Sequence, residues 1–243
     1  MIDFAGRGIL LDIEGTMSSI AFVADVLFPY ARRYVESYLR DHWNEAEVER
    51  ARMLLAQDVQ TADAPWLSGA APEQGLAPLC AVVYRLMDAD AKATGLKELQ
   101  GLIWREGYDA GRLCSHVYPD VPPALADWAR RGLDIRIYSS GSVAAQRVFF
   151  AHTEAGDLLP YFRGHYDTTT GPKRVADSYR RIAADTKLAP STMLFLSDVG
   201  AELDAAAAAG LQTALVVRPG NQLVVQEHEH PRVTDFGQIR LPE

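Results

Sequence analysis

Only two cysteines, Cys80 and Cys114, occur in the 243 residues, so a disulfide framework is excluded and free thiols are expected. No pattern of a secretory leader opens the sequence, and the expectation is a protein of the reducing cytoplasm. No apolar run approaches the ~20 residues of a membrane span. Positive charge is also short. There are 24 Lys and Arg against 32 Asp and Glu, for a formal net charge of −8, which argues against a nucleic-acid partner. An anionic substrate would need a local cation to overcome that overall field. Internal repeats and low-complexity tails are absent as well.

What is present is an ordinary soluble composition, 48% hydrophobic and 23% charged. Within it, the segment Ile9-Leu10-Leu11-Asp12-Ile13-Glu14-Gly15-Thr16 carries the most information. Three apolar residues read as a short buried strand, and an acid follows at once. In open α/β folds the carboxyl end of a strand is where ligands bind. Asp12 and Glu14, two positions apart, can share one Mg²⁺ or divide nucleophilic and acid/base duties.

Downstream the texture is helical. Val23, Val26, Leu27, Tyr30, Tyr34, Tyr38 and Leu39 recur at helical spacing, with Pro29 forcing a restart or kink. Leu76 to Met87 forms a second stripe, and Leu96, Leu99 and Ile103 begin a third. The stretch Thr61–Pro72 between the first two reads as irregular. From about Val117, strands alternate with helices. Asp120 is read as the cap of a short helix that Gly132 stops. Ile135–Tyr138 is a strand, and Val143 to about Ala151 a helix capped by Ser142. His165–Asp167 reads as a short strand, and Val175, Tyr179 and Ile182 mark one helix face. Met193–Leu196 and Ala214–Val217 are buried strands around the alanine-rich helix Ala201–Ala209. This alternation predicts an α/β fold with a parallel sheet and helices on both faces. More than a hundred residues separate Asp12 from Ser139, where a crossover needs only ~30. The excess, roughly Ser18–Ser115, is read as a helical lid inserted after the first core strand.

Other candidate site residues also fall at strand ends. Ser139-Ser140-Gly141-Ser142 suits a phosphate cradle or, equally, a Ser-rich turn. Lys173, in a Gly171-Pro172-Lys173 segment read as opening a helix, reaches an anion at that edge or is merely solvated. Asp198 ends Phe195-Leu196-Ser197 and is either a second metal ligand opposite Asp12 or a helix cap, with Glu202 four residues on. Plainer readings cover the rest. His228-Glu229-His230 is a solvated loop rather than a metal tract. Cys114-Ser115-His116 lacks an orienting third group for a thiol nucleophile, and the four tryptophans pack cores. Arg218-Pro219-Gly220 is a turn after the last core strand.

Asp12-Ile13-Glu14-Gly15-Thr16, Ser139, Lys173 and Ser197-Asp198 stand in the order of the four motifs of the haloacid dehalogenase (HAD) superfamily, which the chain resembles. Glu14 in place of a second Asp narrows the resemblance to the enolase-phosphatases (acireductone synthases) of methionine salvage. So do Ser18-Ser19-Ile20, Asp25 to Tyr30, Tyr138 to Val143 and Val217 to Asn221. Met17 departs from the pattern, where a second Thr is expected.

The resemblance implies a HAD-like, Rossmann-type core of residues 1–17 and 116–243 and a cap of residues 18–115. It implies a substrate, 2,3-diketo-5-methylthiopentyl-1-phosphate, that is enolised and then dephosphorylated to the acireductone. Asp12 would be the nucleophile and Glu14 the acid/base group. Ser139, Ser140 and Lys173 would hold the phosphoryl group. Asp12, Asp198 and the backbone carbonyl of Glu14 would hold one Mg²⁺ per subunit. A small-molecule partner, no nucleic acid, no membrane and a cytoplasmic monomer complete the expectation. A phosphatase for another small ester, without enolisation, is the alternative. A non-catalytic binding protein is disfavoured because all four reactive positions hold competent residues, and a metal-free dehalogenase because Asp12, Glu14 and Asp198 together favour a cation.

Overall fold

Ile9, Leu10 and Leu11 are fully buried, as a strand covered on both faces requires. They belong to the computed structural model of the chain, which describes residues 1–61, 63–67, 69–221 and 229–242. The chain starts with β1 (Ile2–Asp3) and β2 (Gly8–Leu11). A short helix α1 (Ile20–Phe22), capped by Ser19, runs into a π-helical turn at Val23–Leu27. Pro29 sits in the first turn of the following helix α2 (Phe28–His42), which restarts α-helical geometry directly after that π-helical turn.

Three further helices follow: α3 (Ala46–Asp58), α4 (Pro72–Asp88) and α5 (Thr94–Asp109). They share a core that includes Val35, Leu39, Trp43, Val48, Leu55, Leu79, Val83, Leu96 and Leu99. A Cβ on Gly95 would fall 2.3 Å from the backbone nitrogen of Leu55, so α3 and α5 meet backbone to backbone at that glycine. The apolar spacing gave no stripe for α3, because its buried face is diluted by Ala51, Ala56 and a buried Arg52.

The remainder alternates as expected: α6 (Val121–Arg130), β3 (Asp134–Tyr138), α7 (Val143–Ala151), β4 (Gly164–Tyr166), α8 (Ala176–Thr186), β5 (Met193–Ser197), α9 (Gly200–Ala208) and β6 (Gln212–Val216), then the short β7 (Arg232–Val233) and β8 (Ile239–Arg240). Ser142 caps α7 by accepting a hydrogen bond from Ala145 N, and Gly132 takes φ +78° just past α6. Three local readings are corrected. Asp120 stands at the start of α6 but makes no cap bond, because its carboxylate is engaged elsewhere. Lys173 lies in a loop, since α8 begins only at Ala176. Val175 is largely exposed, being the residue before that helix rather than part of its buried face.

The main sheet is parallel, in the order β4-β3-β2-β5-β6-β7, and a separate two-stranded sheet pairs β1 with β8. Leu11 is in register with Ile137 on one side and Leu196 on the other. The residues one step beyond, Asp12, Tyr138 and Ser197, therefore emerge level with one another. The chain forms two compact units, Met1–Val23 with Cys114–Glu243, and Ala24–Leu113. Among the described residues no helix is long and apolar enough to cross a membrane. Cys80 is buried, Cys114 is exposed, and both are free. The His228-Glu229-His230 tract begins outside the described residues. Its His230 is half-buried and bonded to Thr213 Oγ1 (2.8 Å) and Asp204 Oδ1 (2.9 Å), so that end is not simply solvated.

Candidate active site

Strand β2 ends by placing Asp12 in a nearly closed environment, with only 5% of the residue exposed. Its backbone N–H continues the ladder to Leu196 O at 3.0 Å. One carboxylate oxygen, Oδ1, accepts from the N–H of Ile13 at 2.8 Å and faces the Lys173 ammonium at 2.6 Å. The other, Oδ2, lies 3.3 Å from Ser197 Oγ. That hydroxyl is also 3.1 Å from Glu202 Oε2, and its one proton serves one acceptor at a time.

Lys173 bridges two acids, since its Nζ is also 2.6 Å from Glu202 Oε2. Its loop is held from behind by three side chains. Tyr138 donates to the carbonyl of Gly171 (2.7 Å), Ser178 to that of Pro172 (2.8 Å), and Tyr179 to that of Lys173 itself (2.7 Å). Three consecutive carbonyls are thus anchored and the ammonium projects from a fixed base. Burial alone would lower the pKa of Lys173, but Asp12 and Glu202 outweigh it and hold the group protonated.

Asp198 follows β5 and packs against the turn after Asp12. A Cβ on Gly15 would fall 2.2 Å from Asp198 Oδ2, and Gly15 has φ +70°, so only glycine fits there. Burial and the charge of Asp12 push the Asp198 carboxyl up to about 7. Burial and Asp12 likewise raise Glu202, against the opposing pull of Lys173. The one ammonium pairs with Asp12 and Glu202, and Asp198 has no cationic partner in salt-bridge contact among the described residues. The cluster is short of positive charge, and a divalent cation held between Asp12 and Asp198 fits that deficit. No three His, Cys, Asp or Glu side chains form a cage among the described residues. A cation there would complete its shell from a backbone carbonyl, substrate and water.

The other sequence candidates fall close by in the fold. Glu14 sits on the turn two residues beyond Asp12 and is half-buried. Ser139 is buried at the end of β3, where its hydroxyl accepts from Gly141 N at 3.4 Å, whereas Ser140 is exposed. Behind this loop, Gln146 Nε2 donates to the carbonyls of Gly141 and Tyr166, both at 2.8 Å, and Asp167 accepts from Val143 N at 3.0 Å. Sequence reasoning names Ser197, Tyr138, Tyr179 and Glu202 but does not anticipate the contact of Ser197 with Asp12, the anchoring of the Lys173 loop by the two tyrosines, or the bridge from Lys173 to Glu202. A carboxylate four residues past Asp198, on a helix rich in alanine, was the one available signal. Met17 is fully buried in the core, and its carbonyl accepts from Tyr118 N at 2.9 Å.

A family profile described as haloacid dehalogenase-like hydrolase matches residues 7–210. The enolase-phosphatase E1 of Yersinia enterocolitica is 43% identical over 235 residues, covering 97% of each chain. That of Synechococcus elongatus is 48% identical over 216 residues, covering 89% of this chain and 90% of the relative. Among solved structures, the UTR4 protein of Saccharomyces cerevisiae superposes with a TM-score of 0.77 at 34% identity, covering 96% of this chain and all of that one. With a near full-length match at this identity and an acid-lysine cluster at the carboxyl ends of parallel strands, the chain belongs to the haloacid dehalogenase-like hydrolases and, within them, to the enolase-phosphatases.

Proposed function

We propose that the protein converts 2,3-diketo-5-methylthiopentyl-1-phosphate to the acireductone 1,2-dihydroxy-3-keto-5-methylthiopentene in methionine salvage, by enolisation followed by dephosphorylation. The observation that carries the reading is the Asp12–Lys173–Glu202 cluster, with Asp198 against the turn that follows Asp12. In the first half-reaction a proton leaves the carbon that bears the phosphate, and the adjacent ketone oxygen becomes an enol hydroxyl. In the second, an oxygen of Asp12 attacks phosphorus and the bond from phosphorus to the substrate oxygen breaks, leaving an aspartyl-phosphate. Water then attacks that phosphorus, the bond to Asp12 breaks, and phosphate leaves with the carboxylate restored.

Glu14 is assigned the acid/base work: a proton to the departing oxygen, then a proton from the attacking water. Lys173 offsets charge that builds on the phosphoryl oxygens, and Ser139 and Ser140 donate to those oxygens. Asp12, Asp198 and the Glu14 carbonyl would hold one Mg²⁺, which when bound neutralises the repulsion between Asp12 and the phosphate dianion. In this reading residues 1–17 and 116–243 are the catalytic core and residues 18–115 the cap. The protein acts as a cytoplasmic monomer, in a compartment where Cys80 and Cys114 stay reduced.

Incubation with the diketone phosphate, following ultraviolet absorbance of the enol and phosphate release separately, tests the reading. Both signals are expected, the enol phosphate first. Phosphate release with no enol at any time would leave a phosphatase without enolase activity.

A further inference from the structure

The turn after Asp12 holds itself together from inside. The carbonyl of Ile13 accepts from the N–H groups of Thr16, Met17 and Ser18, at 3.2, 2.9 and 2.9 Å, and Gly15 N donates to Ser18 O at 2.8 Å. Its pivot is Gly15, which no other residue can replace beside Asp198 and which is also the residue with most backbone freedom. A turn that needs glycine for space needs rigidity from elsewhere.

The Arg218–Asn221 turn after β6 supplies it. Asn221 Nδ2 donates to the carbonyl of Gly15 at 2.8 Å, and Arg218 Nε donates to the carbonyl of Thr16 at 3.0 Å. Arg218 is itself immobilised. Its Nη1 and Nη2 grip Asp120 at 2.8 and 2.9 Å, Nη1 also reaches Thr234 O at 3.1 Å, and the guanidinium lies between the rings of Tyr118 (4.4 Å) and Phe236 (4.9 Å). Asp120 in turn accepts from Phe236 N at 2.7 Å. Two adjacent carbonyls on the outer side of the turn are therefore bolted to a buried, charge-paired frame.

We propose that Arg218 and Asn221 are positioning residues for the reaction, fixing the Gly15–Thr16 carbonyls so that Glu14 and Asp12 keep one working orientation. The inference rests on the roles assigned above to Asp12 and Glu14. Phosphate contacts come from other elements, so loosening the turn acts on turnover and not on substrate affinity.

Asn221 gives a test that separates positioning from packing. Its Nδ2 is the atom used, and its Oδ1 has no partner among the described residues. Asn221→Asp keeps the shape but turns the donor into an acceptor facing a carbonyl. Asn221→Ala only removes the bond. Positioning predicts turnover in the order wild type, then Asn221→Ala, then Asn221→Asp, with kcat of the last down ~10- to 100-fold and KM little changed. Hydrogen exchange, which needs no substrate, should quicken in the peptide covering residues 12–19 and nowhere else. Arg218→Lys, which keeps the charge but not the fork, should do the same if it folds, as judged by its thermal melt. Wild-type turnover in the same assay reports on the functional reading separately. An Asn221→Asp enzyme with wild-type kcat, with or without faster exchange in the turn, would overturn the inference. So would a rise in KM alone.

Discussion

Nζ of Lys173 lies 2.6 Å from Oδ1 of Asp12, while Tyr179 grips the carbonyl of the same lysine. A cation fixed at both ends is aimed at the carboxylate proposed as the nucleophile. It cannot swing away to solvent when charge builds on the phosphoryl oxygens, and no second cation of the protein touches Asp12 among the described residues.

Lys173→Ala should therefore cut kcat for phosphate release at least ~10-fold, equivalent to about 1.4 kcal/mol of transition-state stabilisation. Steady-state phosphate assays at saturating substrate measure it. A smaller loss would place the ammonium outside the contacts made to the reacting phosphoryl group.

Metal dependence follows from the charge deficit at Asp198. Phosphate release should cease in excess chelator and return with added Mg²⁺, and Asp198→Ala should stay inactive at any Mg²⁺ concentration tested. Full turnover in chelator would show that the three acids are balanced without a divalent cation.

The half-reactions should separate at Asp12. Enolisation breaks no bond to phosphorus, so it needs no nucleophile there. Asp12→Asn, at saturating Mg²⁺, should release no phosphate yet accumulate an ultraviolet-absorbing enol phosphate. If that variant binds metal and substrate but forms no enol, the charge of Asp12 belongs to the proton-transfer machinery as well.

His165 gives a pH prediction away from the acid cluster. Burial, reinforced by nearby Arg147, pushes its imidazole down to about 4. Below its unfolded value near 6.5 the unfolded chain takes up a proton that the folded chain refuses. Stability is thus fully present above that pH and falls as pH drops towards 4. Between pH 7 and pH 5 the loss should be of order 1 kcal/mol. His165→Gln should flatten it, as read from denaturant unfolding at both pH values. Parallel losses in the two proteins would mean that the imidazole titrates alike folded and unfolded.

Much of this site could be read from the chain because each strand that carries it is followed at once by a polar residue at the sheet edge. Leu11 into Asp12, Tyr138 into Ser139 and Ser197 into Asp198 mark their own positions at the sheet edge. What could not be read depends on partners far apart in sequence. Asp120 stands where a helix cap belongs, yet its carboxylate pairs with Arg218, 98 residues away. Glu202 sits on an alanine-rich helix where an acid normally faces water, and only the fold turns it towards Lys173. Helix α3 hid its stripe because Arg52, 4% exposed, lies against the Trp43 ring in place of an apolar side chain. The pairing of β1 with β8 involves two residues from each strand, too few to leave a pattern.

The central place of β2 also sets a timetable for synthesis. Ile9, Leu10 and Leu11 leave the ribosome well before their neighbours on either side, β3 and β5, which begin at Asp134 and Met193. The strand that leads into Asp12 therefore waits unpaired while more than a hundred further residues are made, and non-local pairings of this kind are slow to close. A three-residue apolar run bounded by Gly8 and Asp12 is short and flanked by a charge, which suits a segment that must stay soluble until its partners arrive. Lengthening that run in an engineered variant would endanger the yield of folded protein before it touched the chemistry.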